Sequence, residues 1–258
     1  MLAPARHSAI LAEVQRERIV RVSELAQILG VSLMTVRRDI DTLDDAGLVE
    51  KIHGGARLPG GVSTHEPGFE VKSTLMEAEK AAIAREAATL VQQGMAVGLS
   101  AGTTTWALAK ILSTGPRITV VTNSLRIAEV FHAGNTPSTV IITGGERTPS
   151  DALVGPLATS SLERLHLDML FLGVHGVDAE AGFSTPNLLE AETDRAFVAA
   201  ARKVVVLADH TKWGTLGLTT IAKLEDADEL ISDDQLGPEA QRILREHVGR
   251  LRMAGTAK

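Results

Sequence analysis

Cysteine and tyrosine are both absent from the 258 residues, and aromatic area comes only from Trp106, Trp213 and five phenylalanines. Without cysteine there is no disulfide framework, thiolate metal site or cysteine nucleophile, which suits a reducing cytoplasm. So few rings argue against a platform for single-stranded nucleic acid, where successive bases stack on several aromatic faces. Long hydrophobic runs are missing too. Residues 1–14 lack the apolar stretch of a signal peptide, and the most apolar stretches elsewhere fall far short of the roughly 20 residues that span a bilayer. The eight histidines form no H-x-x-x-H or comparable cluster, so no metal site is expected, and nothing calls for a cofactor.

What is present is a globular make-up, with 44% hydrophobic and 22% charged residues. At about 150 residues per domain the length allows one large domain or two unequal ones. The composition decides between them. Leu58-Pro59-Gly60-Gly61-Val62-Ser63-Thr64-His65-Glu66-Pro67-Gly68 has no apolar period and reads as a linker. The expected division is a helical domain over residues 1–57, a linker over 58–74 and an α/β domain over 75–258. Residues 1–58 hold eight basic and eight acidic side chains, so the whole net charge of −6 belongs to the rest of the chain.

The first part carries short helical patterns. Residues 6–18 place Ile10, Leu11 and Val14 on one face. Ser23 is the expected N-cap of a helix over residues 24–29, with Leu25, Ile28 and Leu29 inward. Gly30 ends it, Val31 plugs the turn and Ser32 caps the next helix, a helix-turn-helix signature. On a helical wheel Leu33, Val36, Ile40 and Leu43 face the core. Met34, Arg38 and Thr42 point outward with Thr35 and Arg37 on the flanks. Arginine pairs with guanine or phosphate and threonine reaches a phosphate or a thymine methyl, so this face suits the major groove of double-stranded DNA. Gly47 stops the helix, and residues 48–55 read as a small hairpin, a wing bearing Lys51, His53 and Arg57. An arginine pair alone is an ordinary solvated face; the succession of caps, Gly turn, Thr-Val-Arg-Arg-Asp and glycine-rich wing is much more specific. The segment from Val31 to Ile40, with His53-Gly54-Gly55-Ala56, resembles the DeoR-type winged helix of bacterial transcriptional regulators.

After the linker the pattern becomes a helix over residues 77–92 followed by apolar runs at 95–99, 118–122, 140–143, 169–173 and 204–208. Apolar strands separated by helices argue a mostly parallel sheet covered on both faces. Ligands in such sheets bind beyond the strands' C-terminal ends. Those ends read Ser100-Ala101-Gly102-Thr103-Thr104-Thr105, Thr122-Asn123-Ser124, Thr143-Gly144-Gly145-Glu146, Gly173-Val174-His175-Gly176 and Asp209-His210-Thr211-Lys212. Backbone N–H groups, hydroxyls, helix N-termini and the Lys212 ammonium together suit a phosphate on a polyhydroxylated body. Glu190, with Glu192 and Arg195, is placed near the same rim. These segments, with Gly155, resemble the DeoR sensor domain, which is similar in fold to ribose-5-phosphate isomerase and CoA transferases. The resemblance implies a repressor of carbohydrate genes, released by a phosphorylated sugar, that binds repeated operator sites as a homo-oligomer. Ser100 departs from the pattern, standing where members commonly carry aspartate. Lys51 also stands where arginine is common.

Two alternatives remain open at this point. Gly98-Leu99-Ser100-Ala101-Gly102 matches a G-x-S-x-G nucleophile elbow, with Asp209 and His247 following in order. A sugar-phosphate isomerase with a DNA-binding appendage is the other, with Glu190 as its one candidate base.

Overall fold

The computed structural model of the chain describes residues 2–59, 61–64, 68–134 and 137–255. Gly60, His65, Glu66 and Pro67 of the expected linker lie outside the described residues, as do Met1 and residues 256–258 at the limits of the expected domains. The first unit comprises α1 (Ala3–Glu17), β1 (Ile19–Arg21), α2 (Val22–Leu29), α3 (Leu33–Asp45), β2 (Glu50–Ile52) and β3 (Gly55–Arg57). Its three strands form an antiparallel sheet in the order β1-β3-β2. Gly30 takes the left-handed conformation (φ 64°) that ends α2, and Ser32 Oγ accepts from Thr35 N at 3.1 Å to start α3. Ile10, Val14, Leu25, Val36, Ile40 and Leu43 form the core of this unit.

Three details differ from the sequence expectation. Helix α2 begins one residue before Ser23; the residue at its N-cap is Arg21, whose N–H donates to Glu24 Oε2 at 3.1 Å. Ile28 is 59% exposed and Leu33 48% exposed, so neither is core. Leu33 is the first residue of α3, where no neighbouring turn covers it, and a wheel takes no account of helix ends. Asp39 is buried instead, because Arg6 and His7 of α1 reach over to it.

The second unit runs through α4 (Phe69–Ser73), α5 (Glu77–Ala88), β4 (Ala96–Leu99), α6 (Thr103–Leu112), β5 (Thr119–Thr122), α7 (Leu125–Ala133) and β6 (Thr139–Ile142). There follow the short antiparallel pair β7 (Glu146–Arg147) and β8 (Leu153–Val154), then α8 (Pro156–Leu162), β9 (Met169–Gly173), β10 (Gly176–Asp178) and β11 (Gly182–Thr185). Helix α9 (Leu188–Ala200), β12 (Val204–Leu207), a 3-10 turn (His210–Lys212), β13 (Thr219–Ala222), β14 (Glu229–Asp233), α10 (Pro238–His247) and β15 (Leu251–Ala254) complete it. Helix α5 stops at Ala88, short of the expected residue 92, as Thr89 Oγ1 bonds back to Glu86 O at 2.6 Å. The expected linker is only partly a tether, since residues 69–73 are helical and Leu75 and Met76 are built into the core of the first unit.

Seven parallel strands lie in the order β15-β14-β12-β9-β4-β5-β6. Separate apolar clusters cover the two faces, one around Phe197, Leu172 and Val206, the other around Ile83, Leu108 and Phe171. The chain lays down β4, β5 and β6 outward, then returns to place β9 on the other flank of β4. The gap between the C-terminal ends of β4 and β9 is therefore the switch point where open α/β sheets bind ligands.

Candidate DNA-binding face and ligand cleft

Arg37 and Arg38 are exposed on α3 and make no ion pair among the described residues. Met34 (56% exposed) and Leu33 stand beside them at the N-terminal end, so an apolar contact accompanies the guanidinium groups. Leu33 is the residue that wheel reasoning missed. The hydroxyls are more occupied than their position suggests: Ser32 Oγ and Thr35 Oγ1 lie 2.9 Å apart, and Thr42 Oγ1 donates to Arg38 O at 3.0 Å.

The wing differs in charge from its sequence. Lys51 Nζ is paired with Asp41 of α3, and Arg57 grips Glu50 through two bonds of 2.9 and 2.6 Å. His53 is exposed at the hairpin turn. A Cβ on Gly55 would lie 2.0 Å from Val20 O, so only glycine lets β3 approach β1 this closely.

A small cleft opens at the switch point. Ala101, Gly102, Thr103 and Thr104 border it from β4 and α6, and Gly173, Val174 and His175 from the end of β9. Lys212 enters from the 3-10 turn and Glu190 and Asp194 from α9. Of the expected set, Gly102, Thr103, Thr104, His175, Glu190 and Lys212 meet here. The others do not border it. Ser100 is fully buried, and its Oγ accepts from Gly173 N at 3.0 Å, which ties the two strand ends together. Thr105 Oγ1 donates to Ser100 O (2.7 Å), Thr122 Oγ1 donates to Leu99 O (2.7 Å) and Asn123 Oδ1 accepts from Ala101 N (2.8 Å). Ser124 caps α7, Gly144 and Gly145 lead into β7, and Gly176 opens β10. Glu192 and Arg195 pair with each other at 2.7 Å and also stand outside the cleft.

Phe69 and Lys72 also border the cleft, from a segment that composition marks as linker. The signal was an apolar residue with Lys at i+3, too short a pattern to count as a helix. Asp194 was equally hidden in the polar stretch Glu-Thr-Asp-Arg.

Charge in the cleft is divided. Glu190 Oε1 accepts from Thr148 Oγ1 at 3.0 Å and from Ser150, and its Oε2 accepts from Thr185 Oγ1 at 3.3 Å. Burial, reinforced by Glu190 one turn earlier, pushes the Asp194 carboxyl well above its ordinary range. A carboxyl raised in this way is shifted toward its neutral form, which can donate to a hydroxyl as well as accept from one. The cations gather around Asp209. Burial disfavours the Asp209 carboxylate, yet Lys212, Lys80 and the Thr211 hydroxyl hold it below the usual value. Lys80, itself buried, is pushed down to about 8 by desolvation and by Lys212 and Lys72, against the pull of Asp209.

Asp194 supplies a stability test. Its folded value is raised, so the unfolded chain ionises first as pH climbs above roughly 4, and folding is increasingly penalised until the folded carboxyl also ionises. Asp194→Asn is expected to stabilise the protein at neutral pH and to leave it unchanged near pH 3. Thermal melts at both values measure this; an equal shift at the two pH values would mean that the fold does not raise the carboxyl.

A winged helix-turn-helix with free arginines on its third helix, carried on a doubly covered α/β body, defines a DNA-binding transcriptional regulator. The sequence matches the DeoR-like helix-turn-helix domain over residues 6–60 and the DeoR C-terminal sensor domain over residues 76–234. The chain belongs to the DeoR family. It is 37% identical over 245 residues, covering 95% of each chain, to the HTH-type transcriptional regulator YgbI of Escherichia coli K12. With the glycerol-3-phosphate regulon repressor of the same strain it shares 29% identity over 243 residues, 94% of this chain and 95% of that one. Among solved structures, ribose 5-phosphate isomerase A of Methanocaldococcus jannaschii is similar over 52% of this chain and 53% of that one, at 18% identity and a TM-score of 0.39.

By the family it belongs to, the chain is a transcriptional regulator, and the two relatives carry regulator names. The hydrolase alternative also fails on geometry, because Ser100 Oγ is sealed from solvent and accepts from a backbone amide. Among the described residues no helix is long and apolar enough to cross a membrane.

Proposed function

We propose that this regulator represses carbohydrate-catabolism genes in the cytoplasm, and that a phosphorylated sugar bound between the ends of β4 and β9 controls it. One observation carries the reading: the switch-point cleft sets Lys72 and Lys212 against the Glu190–Asp194 pair. An anionic group suits the lysines and the N-terminus of α6, and sugar hydroxyls suit the two carboxyl groups. One relative is named for glycerol-3-phosphate, a phosphorylated polyol, which supports an effector of this kind. On DNA, Arg37 and Arg38 read the major groove and the wing approaches the backbone, with a homo-oligomer placing two readers on repeated half-sites. Edge strand β6 leaves Ile141 (39%) and Ile142 (45%) exposed, which supports self-association. The sugar must bind one arrangement of the readers better than the other, since equal affinity would shift nothing.

Thermal shifts of the full chain over a panel of phosphorylated sugars test the reading. A ligand at a hundredfold excess over its Kd should add about 2.7 kcal/mol of apparent stability and release the operator. Lys212→Ala should keep operator binding and weaken that ligand about tenfold or more, the worth of one charged hydrogen bond. A normal response in Lys212→Ala would place the anion elsewhere.

A further inference from the structure

The segment between the two units is part of both. Its first half borders the cleft through Phe69 and Lys72, and its last residues, Leu75 (5% exposed) and Met76 (4%), belong to the same apolar cluster as Ile10 and Leu11 of α1. Ser8 Oγ of α1 accepts from Met76 N at 3.0 Å. Just before Ser8 in α1, Arg6 forks onto Asp39 of α3 with bonds of 2.7 and 2.9 Å, and His7 Nε2 stands 3.1 Å from the same carboxylate. Asp39 directly follows Arg38, so a continuous series of packed and bonded groups joins the cleft wall to the helix that faces DNA.

The segment is also held as a unit. The buried Lys80 ammonium donates to the carbonyls of both Lys72 and Leu75, the latter at 2.7 Å. Releasing either would leave part of a buried cation unsatisfied, which is costly. At the other end Phe69 packs edge-on against Trp106, with ring centres 5.3 Å apart. Arg126 of α7 lies over Phe69 and bonds Glu70 at 2.7 Å. Shifting α4 therefore requires shifting Leu75 and Met76 against α1.

We propose that Lys72 is a second ligand-binding cation beside Lys212, and that residues 69–76 form a strap carrying its occupancy through Ser8, Arg6 and Asp39 to the DNA-reading helix. This rests on the reading of the cleft as the ligand site. An anion on Lys72 favours one position of the strap, and the strap position favours one setting of α1 and α3. Linkage makes the effect reciprocal, so operator DNA alters anion affinity by the same factor that the anion alters operator affinity. The coupling runs within one subunit and adds to any change in spacing between readers.

Two measurements on the full chain test this separately. Hydrogen exchange compares the wild-type chain with Phe69→Ala, a change that frees the strap from the cleft wall and touches neither α1 nor α3. Exchange in peptides covering residues 3–12 and 33–45 should rise severalfold. A rise confined to residues near 69 and 106 would overturn the strap. Inorganic phosphate, the group common to all phosphorylated ligands, is then titrated into the wild-type, Lys212→Ala and Lys72→Ala chains. Both variants should bind it about tenfold or more weakly. Loss in Lys212→Ala alone would overturn the role of Lys72 while leaving the cleft reading intact. Equal binding by all three chains, or none by the wild-type chain, would overturn the cleft reading and this one with it.

Discussion

Replacing Arg38 by alanine is expected to weaken operator binding about ten- to a hundredfold, the worth of a guanidinium fork on a guanine edge. The fold should survive, because the side chain is exposed and makes no ion pair among the described residues. Lys51→Ala is the informative contrast. Lys51 is equally exposed and equally basic in the sequence, but it is paired with Asp41. Much of its charge is already compensated, so its loss should cost only a few-fold. Gel shifts with operator fragments selected from a random library give both numbers, and repeating them across salt concentrations separates two roles for Arg38. If it bonds a base, its loss relaxes the preferred sequence. If it bonds a phosphate, binding weakens evenly across sequences and the slope of log K against log salt becomes shallower by about one. Equal losses in the two variants would mean that the Lys51–Asp41 pair does not distinguish them on DNA.

That contrast shows how far the sequence was legible. The helix-turn-helix could be read because its punctuation is local: Gly30 must be left-handed, Ser32 must cap, and Val36, Ile40 and Leu43 repeat on one face. The five apolar runs became β4, β5, β6, β9 and β12, the first two and last two because a strand buried on both faces needs no partner to declare itself, and β6 by its apolar run although it lies exposed at the sheet edge. What could not be read depends on distant neighbours. Strand β14 carries Glu229 and Asp233 at its ends, which dilute the apolar run, and Glu229 is tolerable only because Lys203 and Arg252 meet it. Lys51 looks free until Asp41, ten residues earlier, is seen beside it. Helix α4 was hidden by the glycines and prolines before it, and its position depends on Trp106 and Arg126, far from it in sequence, and on Lys80, whose side chain folds back onto the segment. Half of the candidate cleft was legible for the complementary reason. The β4–α6 and β9 turns announce themselves by glycine and hydroxyl content, whereas Phe69, Lys72 and Asp194 border the cleft only through tertiary packing.

Asp39 follows the same rule and gives the largest expected effect on stability. In the sequence it is one acid after two arginines on an amphipathic helix, and an acid in that place would ordinarily be solvated. In the fold its side chain is 6% exposed and receives Arg6 and His7 of α1. Burial works against its charge, but the bonds from Arg6 and His7 outweigh that and hold the carboxyl below its ordinary value. Asp39→Ala removes the acceptor and leaves two donors partly buried, so the DNA-binding unit should lose about 2–3 kcal/mol, the usual cost of deleting a charged hydrogen-bonding partner. The pH dependence has a definite sign. Because the folded value is lowered, the contribution of the carboxylate is fully present above the unfolded value of roughly 4 and disappears as pH falls through the folded one. The deficit of Asp39→Ala relative to wild type should therefore shrink in acid. Asp39→Asn, which keeps an oxygen acceptor and the packing but not the charge, should fall between the two at pH 7. Neither tryptophan lies in this unit, so hydrogen exchange of α1 and α3 is the appropriate measurement. A deficit of the same size at pH 7 and pH 3 would show that shape, and not charge, is what Asp39 contributes between α1 and the DNA-reading helix.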